Sequence, residues 1–237
     1  MVSCRVRRLA VVCVVLLQVM PAWAFTDAAL VDGFRRTVFG SEFRSFGRQA
    51  DIVKKFVKPV RVYVDDRSRE ERGSEVAAFV GSLPPLVRGL DIEVVAVPAA
   101  ANFRIFVLDR KDYAAVVSRE VYGLTASTNA PGKCLVRIVS SSAGISRSDA
   151  VIVADEGEAL FRRCTIEEVL QGLGPANDDA TLAESVFNDR SRHVAFTAFD
   201  RHLLNMLYDP RVRPGMDRAT VGGVLSEVAA DVRARLR

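Results

Sequence analysis

Glu167-Glu168-Val169-Leu170-Gln171-Gly172-Leu173-Gly174-Pro175-Ala176-Asn177-Asp178 is the most chemically specific stretch of the 237-residue chain, and its reading decides the fold. The spacing predicts a helix over 167–173, stopped by Gly174-Pro175, since glycine takes the conformation that ends a helix and proline cannot continue one. Thr165 with Glu168 three residues later has the form of a capping box, in which Glu168 satisfies a backbone amide at the helix start. Helical spacing also places Glu167 and Gln171 on one face, and Asn177-Asp178 follow just past the turn.

Outward from this stretch the chain divides in two. Downstream, 198–208 and 218–236 carry helical periodicity, and no convincing strand falls among them. Upstream, 26–40 predicts a first helix ending at Gly40, and 46–57 reads as a short helix or strand. Pro59 to Asp65 alternates apolar and polar residues with β-branched types dominant, which predicts a strand. Residues 68–90 turn helical, with Pro84-Pro85 as a kink or break. Two apolar runs, 91–98 and 102–109, predict further strands. A helix is expected over 111–122, then strands over 134–140 and 150–153 with a polar loop, 140–149, between them. The alternation argues for an α/β (α+β) domain in which a sheet-rich N-terminal half precedes a helical C-terminal half.

The quoted stretch resembles the metzincin metallopeptidase signature H-E-x-x-H-x-x-G-x-x-H with every histidine replaced. The three ligand positions hold Glu167, Gln171 and Asn177. Glu168 stands where the general base would be, and Gly174 where the chain turns. Ser185-Val186-Phe187-Asn188 lies where such enzymes place a tight turn under the metal, with Phe187 at the methionine position. Phe196 to Asp200 with Leu203, Leu204, Leu207 and Tyr208 is similar to the family's last helix, and the strand from Pro59, the helix after it and Ala101 to Ile105 are similar to its early elements. More closely, Cys164, Glu167-Glu168, Gln171, Leu173-Gly174, Asn177-Asp178, Ser185, Phe187-Asn188-Asp189 and Leu207 to Arg211 with Pro214-Gly215-Met216 resemble a family of exported bacterial proteins known as domain of unknown function 2927.

That resemblance implies a metzincin-like fold: a mixed, mostly parallel twisted sheet with an antiparallel edge. It implies a helical segment over 25–54, the main domain over 55–216 and a C-terminal helix over 217–237. Gly174, Asp178, Ser185, Phe187 and Tyr208 would then support the turn and cleft. It implies no established activity.

Residues 1–24 read as a cleavable signal peptide: Arg5, Arg7 and Arg8 precede an apolar run from Leu9 to Met20, and Ala22-Trp23-Ala24 supplies small residues for cleavage before Phe25. The run is shorter than the ~20 residues that span a bilayer, so no stable membrane insertion is expected after cleavage. The expected compartment is periplasmic or secreted. Removing 1–24 takes away three arginines and no acid, leaving 30 basic against 29 acidic residues. The basic pI is then largely a signal-peptide effect and gives no warrant for nucleic-acid binding, which needs a clustered basic face. Cys134 and Cys164 survive processing, and in an oxidising compartment they are expected as a disulfide, the alternative being two unpaired buried thiols.

Zinc in a hydrolase wants two or three strong nitrogen or carboxylate ligands, and the amides of Gln171 and Asn177 bind it poorly, so no zinc is expected. An oxygen-rich set of Glu167, Glu168, Gln171, Asn177 and Asp178 suits calcium or magnesium better. The two histidines, His193 and His202, have no partner at helical spacing, and no nucleophile elbow or glycine-rich phosphate loop stands out. The leading expectation is a non-catalytic, pseudo-peptidase domain that binds a peptide or an unknown envelope protein. The alternative is a metal-dependent, peptidase-like hydrolase with atypical ligands and Glu168 as general base. A third is an assembly protein whose loop 209–216 is the partner contact.

Overall fold

The computed structural model describes residues 25–40, 51–126, 130, 132–188 and 190–236. The signal peptide expected over 1–24, the first part of the 46–57 segment and Asp189 lie outside the described residues. The chain runs through α1 (Asp27–Val38), β1 (Val60–Asp66), α2 (Gly73–Gly81), β2 (Ile92–Val94), β3 (Phe103–Leu108), α3 (Arg110–Val116), β4 (Cys134–Ser141), β5 (Gly144–Val153), α4 (Glu158–Gly172), α5 (Ala198–Leu207) and α6 (Arg218–Arg235). A mixed five-stranded sheet has the order β2-β1-β3-β5-β4. Four strands are parallel and β4, at one edge, is antiparallel to β5.

Alternation along the strands sorts the two faces. Val60 and Val62 of β1, Phe103, Ile105 and Val107 of β3, and Ala150 and Ile152 of β5 point into the main core with α1, α2, α4, α5 and α6. Phe106, Leu108, Val151, Val153 and Leu135 face the other way and are covered by Tyr113, Val116, Val117 and Val121, from α3 and the turn after it. That second layer covers only one end of its face. At the other end β1, β3, β5 and β4 present Tyr63, Arg104, Asp149, Arg147, Arg137 and Val139, in register across the sheet.

Three expectations are corrected, and the 46–57 alternative is narrowed. The polar loop over 140–149 is mostly strand: β4 and β5 form a hairpin closed at Ser142-Ala143, with a bulge between Val139 and Ser140. Ser146 faces solvent, Arg147 and Asp149 pair on one sheet face, and buried Ser148 donates to the Gly172 carbonyl of α4 at 2.7 Å, so the polar run is a strand whose polar groups are met by tertiary partners. The helix over 68–90 is regular only as α2. The Pro84-Pro85 pair lets nothing beyond irregular turns form before Leu90. The 51–57 part of the 46–57 segment is extended, pinned by Val53 N–H to the Met216 carbonyl (2.8 Å) and Gly215 N–H to the Val53 carbonyl (2.9 Å). The capping box does not exist: α4 starts at Glu158, after Gly157, so Thr165 and Glu168 lie in the middle of the helix.

The C-terminal half is helical, as the periodicity implies, and α6 packs against α1 and α5, so both ends of the chain share one layer. Thr26, Thr197 and Asp217 cap α1, α5 and α6 through their side-chain oxygens. Cys134 and Cys164 form a disulfide that ties the edge strand β4 to α4. No helix among the described residues is long and apolar enough to cross a membrane.

Candidate functional site

The last two and a half turns of α4, from Cys164 to Gly172, are buried on every side. Val169 and Leu170 fill the core there, while Glu167, Glu168 and Gln171 are 5%, 4% and 2% exposed. Buried polar groups need partners, and the structure supplies them. The Arg163 guanidinium donates to Glu167 Oε2 at 3.0 Å, one turn back on the same helix. Gln171 Nε2 donates to Asp178 Oδ1 at 2.9 Å.

After Gln171 the chain leaves the helix through Leu173 and Gly174. Gly174 has φ +140°, and its N–H donates to the Gln171 carbonyl at 2.8 Å. A side chain there would run into the Lys54 carbonyl oxygen and Leu207, so the turn is close as well as left-handed. Tyr208, at the end of α5, donates its hydroxyl to the Leu173 carbonyl at 3.0 Å, and its burial pushes the phenol pKa up. Beside it Lys55 donates to the Leu207 and Asp209 carbonyls at 3.0 and 3.1 Å. Burial pulls the Lys54 and Lys55 amines down to about 8.

The three positions matched to metal ligands do not converge. Asn177 turns toward α1: its N–H donates to the Thr37 carbonyl at 3.1 Å and its Nδ2 to the Arg36 carbonyl at 2.8 Å. Gln171 is met instead by Asp178. Among the described residues no group of three or more histidine, cysteine, aspartate or glutamate side chains is arranged to hold a metal ion. Asn177, facing away, does not fit a zinc ligand's place, and Gln171 offers an amide whose nitrogen is held by Asp178. His193 and His202 bond to the Ala183 and Ala198 carbonyls, at 2.9 and 2.6 Å, so each ring donates to backbone.

The 185–187 turn is built from α5. Asp200, fully buried, accepts from the Ser185 hydroxyl at 2.5 Å, the Val186 N–H at 3.0 Å and the Thr197 hydroxyl at 2.7 Å. Desolvation pushes this carboxyl above its usual range, against the pull of those three donors. Phe187 is completely buried, and its carbonyl accepts from Asp179 N–H at 3.0 Å, which joins the turn to the chain leaving the α4 stretch. The sequence places Asp200 only within the stretch similar to the last helix and gives it no role, although Thr197 three residues before it carries the signature of a helix cap.

The loop over 209–216 is braced from within the fold. Arg211 donates to both oxygens of Asp209 and to Asp231 of α6, at 2.9, 2.9 and 2.8 Å. This holds the Asp209 carboxyl below its usual range.

The edge strand β4 differs in kind. Ser148 N–H donates to the Asn102 carbonyl at 3.0 Å and Ala154 N–H to the Leu108 carbonyl at 2.8 Å, so the even-numbered backbone groups of β5 face β3. Its odd-numbered groups face β4, where Val151 and Asp149 lie opposite Leu135 and Arg137. Val136 and Ile138 therefore direct their N–H and C=O groups outward. Among the described residues nothing pairs with them.

The family described as "Protein of unknown function (DUF2927)" matches residues 27–227, which take in every residue of this site. No curated protein and no solved structure matches the chain.

Proposed function

The chain belongs to the DUF2927 family, and we propose that it is an exported bacterial protein, periplasmic or secreted, whose metzincin-like domain is non-catalytic and binds an extended peptide or protein segment of an envelope partner. The observation that carries the binding is the open outer edge of β4, where Val136 and Ile138 offer two donors and two acceptors to an added strand. Strand addition of this kind draws affinity from main-chain hydrogen bonds and selectivity from alternate side chains, and it needs no metal. The lack of catalysis is supported by the engaged Gln171 amide and the diverted Asn177. A metzincin-like ancestry is supported by the mostly parallel sheet with its antiparallel edge, by Gly174 at the turn and by the 185–187 turn joined to the same loop. Export is supported by the disulfide, which persists in oxidising compartments.

A metal-dependent hydrolase with Glu168 as base is the second reading. It is favoured by Glu168 being a buried carboxylate in mid-helix with no capping role. Metal content of the purified protein, after separate dialysis against zinc, calcium and magnesium, distinguishes the two. Near-stoichiometric retention that disappears in Glu167→Ala would sink the non-catalytic reading. For the binding itself, Val136→Pro removes an outward N–H and blocks strand addition. Envelope partners cross-linked equally by wild type and Val136→Pro would place the contact elsewhere.

A further inference from the structure

We infer that the segment received at the β4 edge is acidic, with carboxylates at alternate positions on the face it shares with Arg137; this rests on the edge-binding reading above. Three guanidinium groups gather on adjoining strands at the uncovered end of the second sheet face. Arg104 of β3 and Arg147 of β5 both donate to the same oxygen, Oδ1 of Asp149, at 2.9 Å each. Asp149 is completely buried, while the Arg147 side chain is 43% exposed. Arg137 of β4 lies opposite Asp149 in the register, yet its guanidinium turns to the Val121 carbonyl and to the Tyr122 ring, 5.2 Å from the centroid. Among the described residues it makes no ion pair.

The neighbouring acids do not neutralise this group. The Glu120 carboxylate is held by Arg67 at 2.6 Å, and only its carbonyl reaches Arg104, at 3.3 Å. Glu93 lies across the sheet with Arg61, at 3.1 Å. Three cations with one carboxylate in contact leave two positive charges, and the adjoining Arg67, shared by Asp65 and Glu120, returns one negative charge; one positive charge remains in excess, beside a strand edge with no partner among the described residues.

A strand added to β4 places every second side chain on this face, with the residue opposite Arg137 about 5 Å away between Cβ atoms. A carboxylate there meets a planar guanidinium fork that matches its two oxygens, and the next residue on the same face approaches Val139 and Arg147. The opposite face of the added strand meets Val136 and Ile138, which are half-buried and call for apolar residues. The pattern selected is thus an alternating acidic and apolar strand.

Panning a random heptapeptide display library against the purified full chain, with its disulfide intact, tests this directly. The expected result is recovery of peptides with aspartate or glutamate at every second position. Replacing those acids by amides in a synthesised representative, or Arg137 by Gln, should weaken binding roughly tenfold, the size of one desolvated charge pair. Arg137→Lys should retain part of the preference, and Arg147→Gln should lower affinity by a smaller factor. Circular dichroism confirms that each variant is folded. Peptides recovered without acidic enrichment, yet released by Val136→Pro, would overturn the acidic specificity and leave the edge reading standing. Recovery of none, or of peptides insensitive to Val136→Pro, would overturn both.

Discussion

The second half of α4 and the strand β4 are neighbours, cross-linked by Cys134–Cys164, and they stand at opposite ends of polar satisfaction. Every polar side chain named at the metal-ligand positions on α4 and its exit turn is engaged: Glu167 with Arg163, Gln171 with Asp178, Asn177 with the end of α1. On β4 the outward backbone groups of Val136 and Ile138 are free among the described residues, and Arg137 has no carboxylate there. The motif that looks most like chemistry holds the fold together, and the plain strand beside it keeps backbone groups that no described residue engages. Buried polar groups are costly to leave open, whereas an edge strand can stay open because water serves it.

The comparison can be broken at several points. Gly174→Ala attacks the engaged side: with φ +140° and the Lys54 carbonyl in the way, it should cost about 3–5 kcal/mol, read as a shift in the urea midpoint. A change under ~1 kcal/mol would show that the turn relaxes freely. Replacing both Cys134 and Cys164 by Ser should cost about 3 kcal/mol, from a closed loop of 30 residues. Amide exchange should then quicken in β4 before α4; equal quickening in both would deny that the edge is the looser partner.

A proline pair sharpens the contrast within one strand. Leu135→Pro removes an N–H that faces β5 and should cost about 3 kcal/mol, while Val136→Pro removes an outward one and should cost about 1 kcal/mol. Equal costs would mean that the assigned edge direction is wrong. The smallest effect is in pH. Lys54 and Lys55 titrate at about 8 folded against an ordinary 10.5, so between those values the unfolded chain holds protons the folded chain has shed. Stability should rise with pH across that window, and on the way down it should fall from 10.5 to about 8 and level off below about 8. Lys55→Met should flatten the rise; an unchanged slope would show that Lys55 does not carry it. As a neutral amine Lys55 still has two N–H groups for the Leu207 and Asp209 carbonyls.

Much of the fold is legible in the residues. Alternation in 59–65 and 102–109 gives β1 and β3, and periodicity in 198–208 and 218–236 gives α5 and α6 within two residues. The helix stop at Gly174-Pro175 is there in the chain, and the positive φ follows from it. The nine residues of α4 before Glu167 do not read as a helix, because three of the six from Glu158 to Arg163 are charged; their support is tertiary, with Phe161 in the core and Arg72, just before α2, reaching Glu158 across 86 residues. The polar run 140–149 carries no apolar alternation, so the pairing of Arg147 and Asp149 with Arg104 and Arg137 follows only from strand register.

The sequence by itself determined β1, β3, α1, α5 and α6, the cysteine pair and the unusual 167–178 stretch, since periodicity, turn chemistry and composition act over a few residues. Only the tertiary structure decided that Asn177 turns to Arg36, 141 residues away, that Tyr208 reaches Leu173, and that Val136 and Ile138 face outward. Those outcomes depend on strand register and on which buried polar group finds which partner, and both are fixed by contacts between residues far apart in the chain.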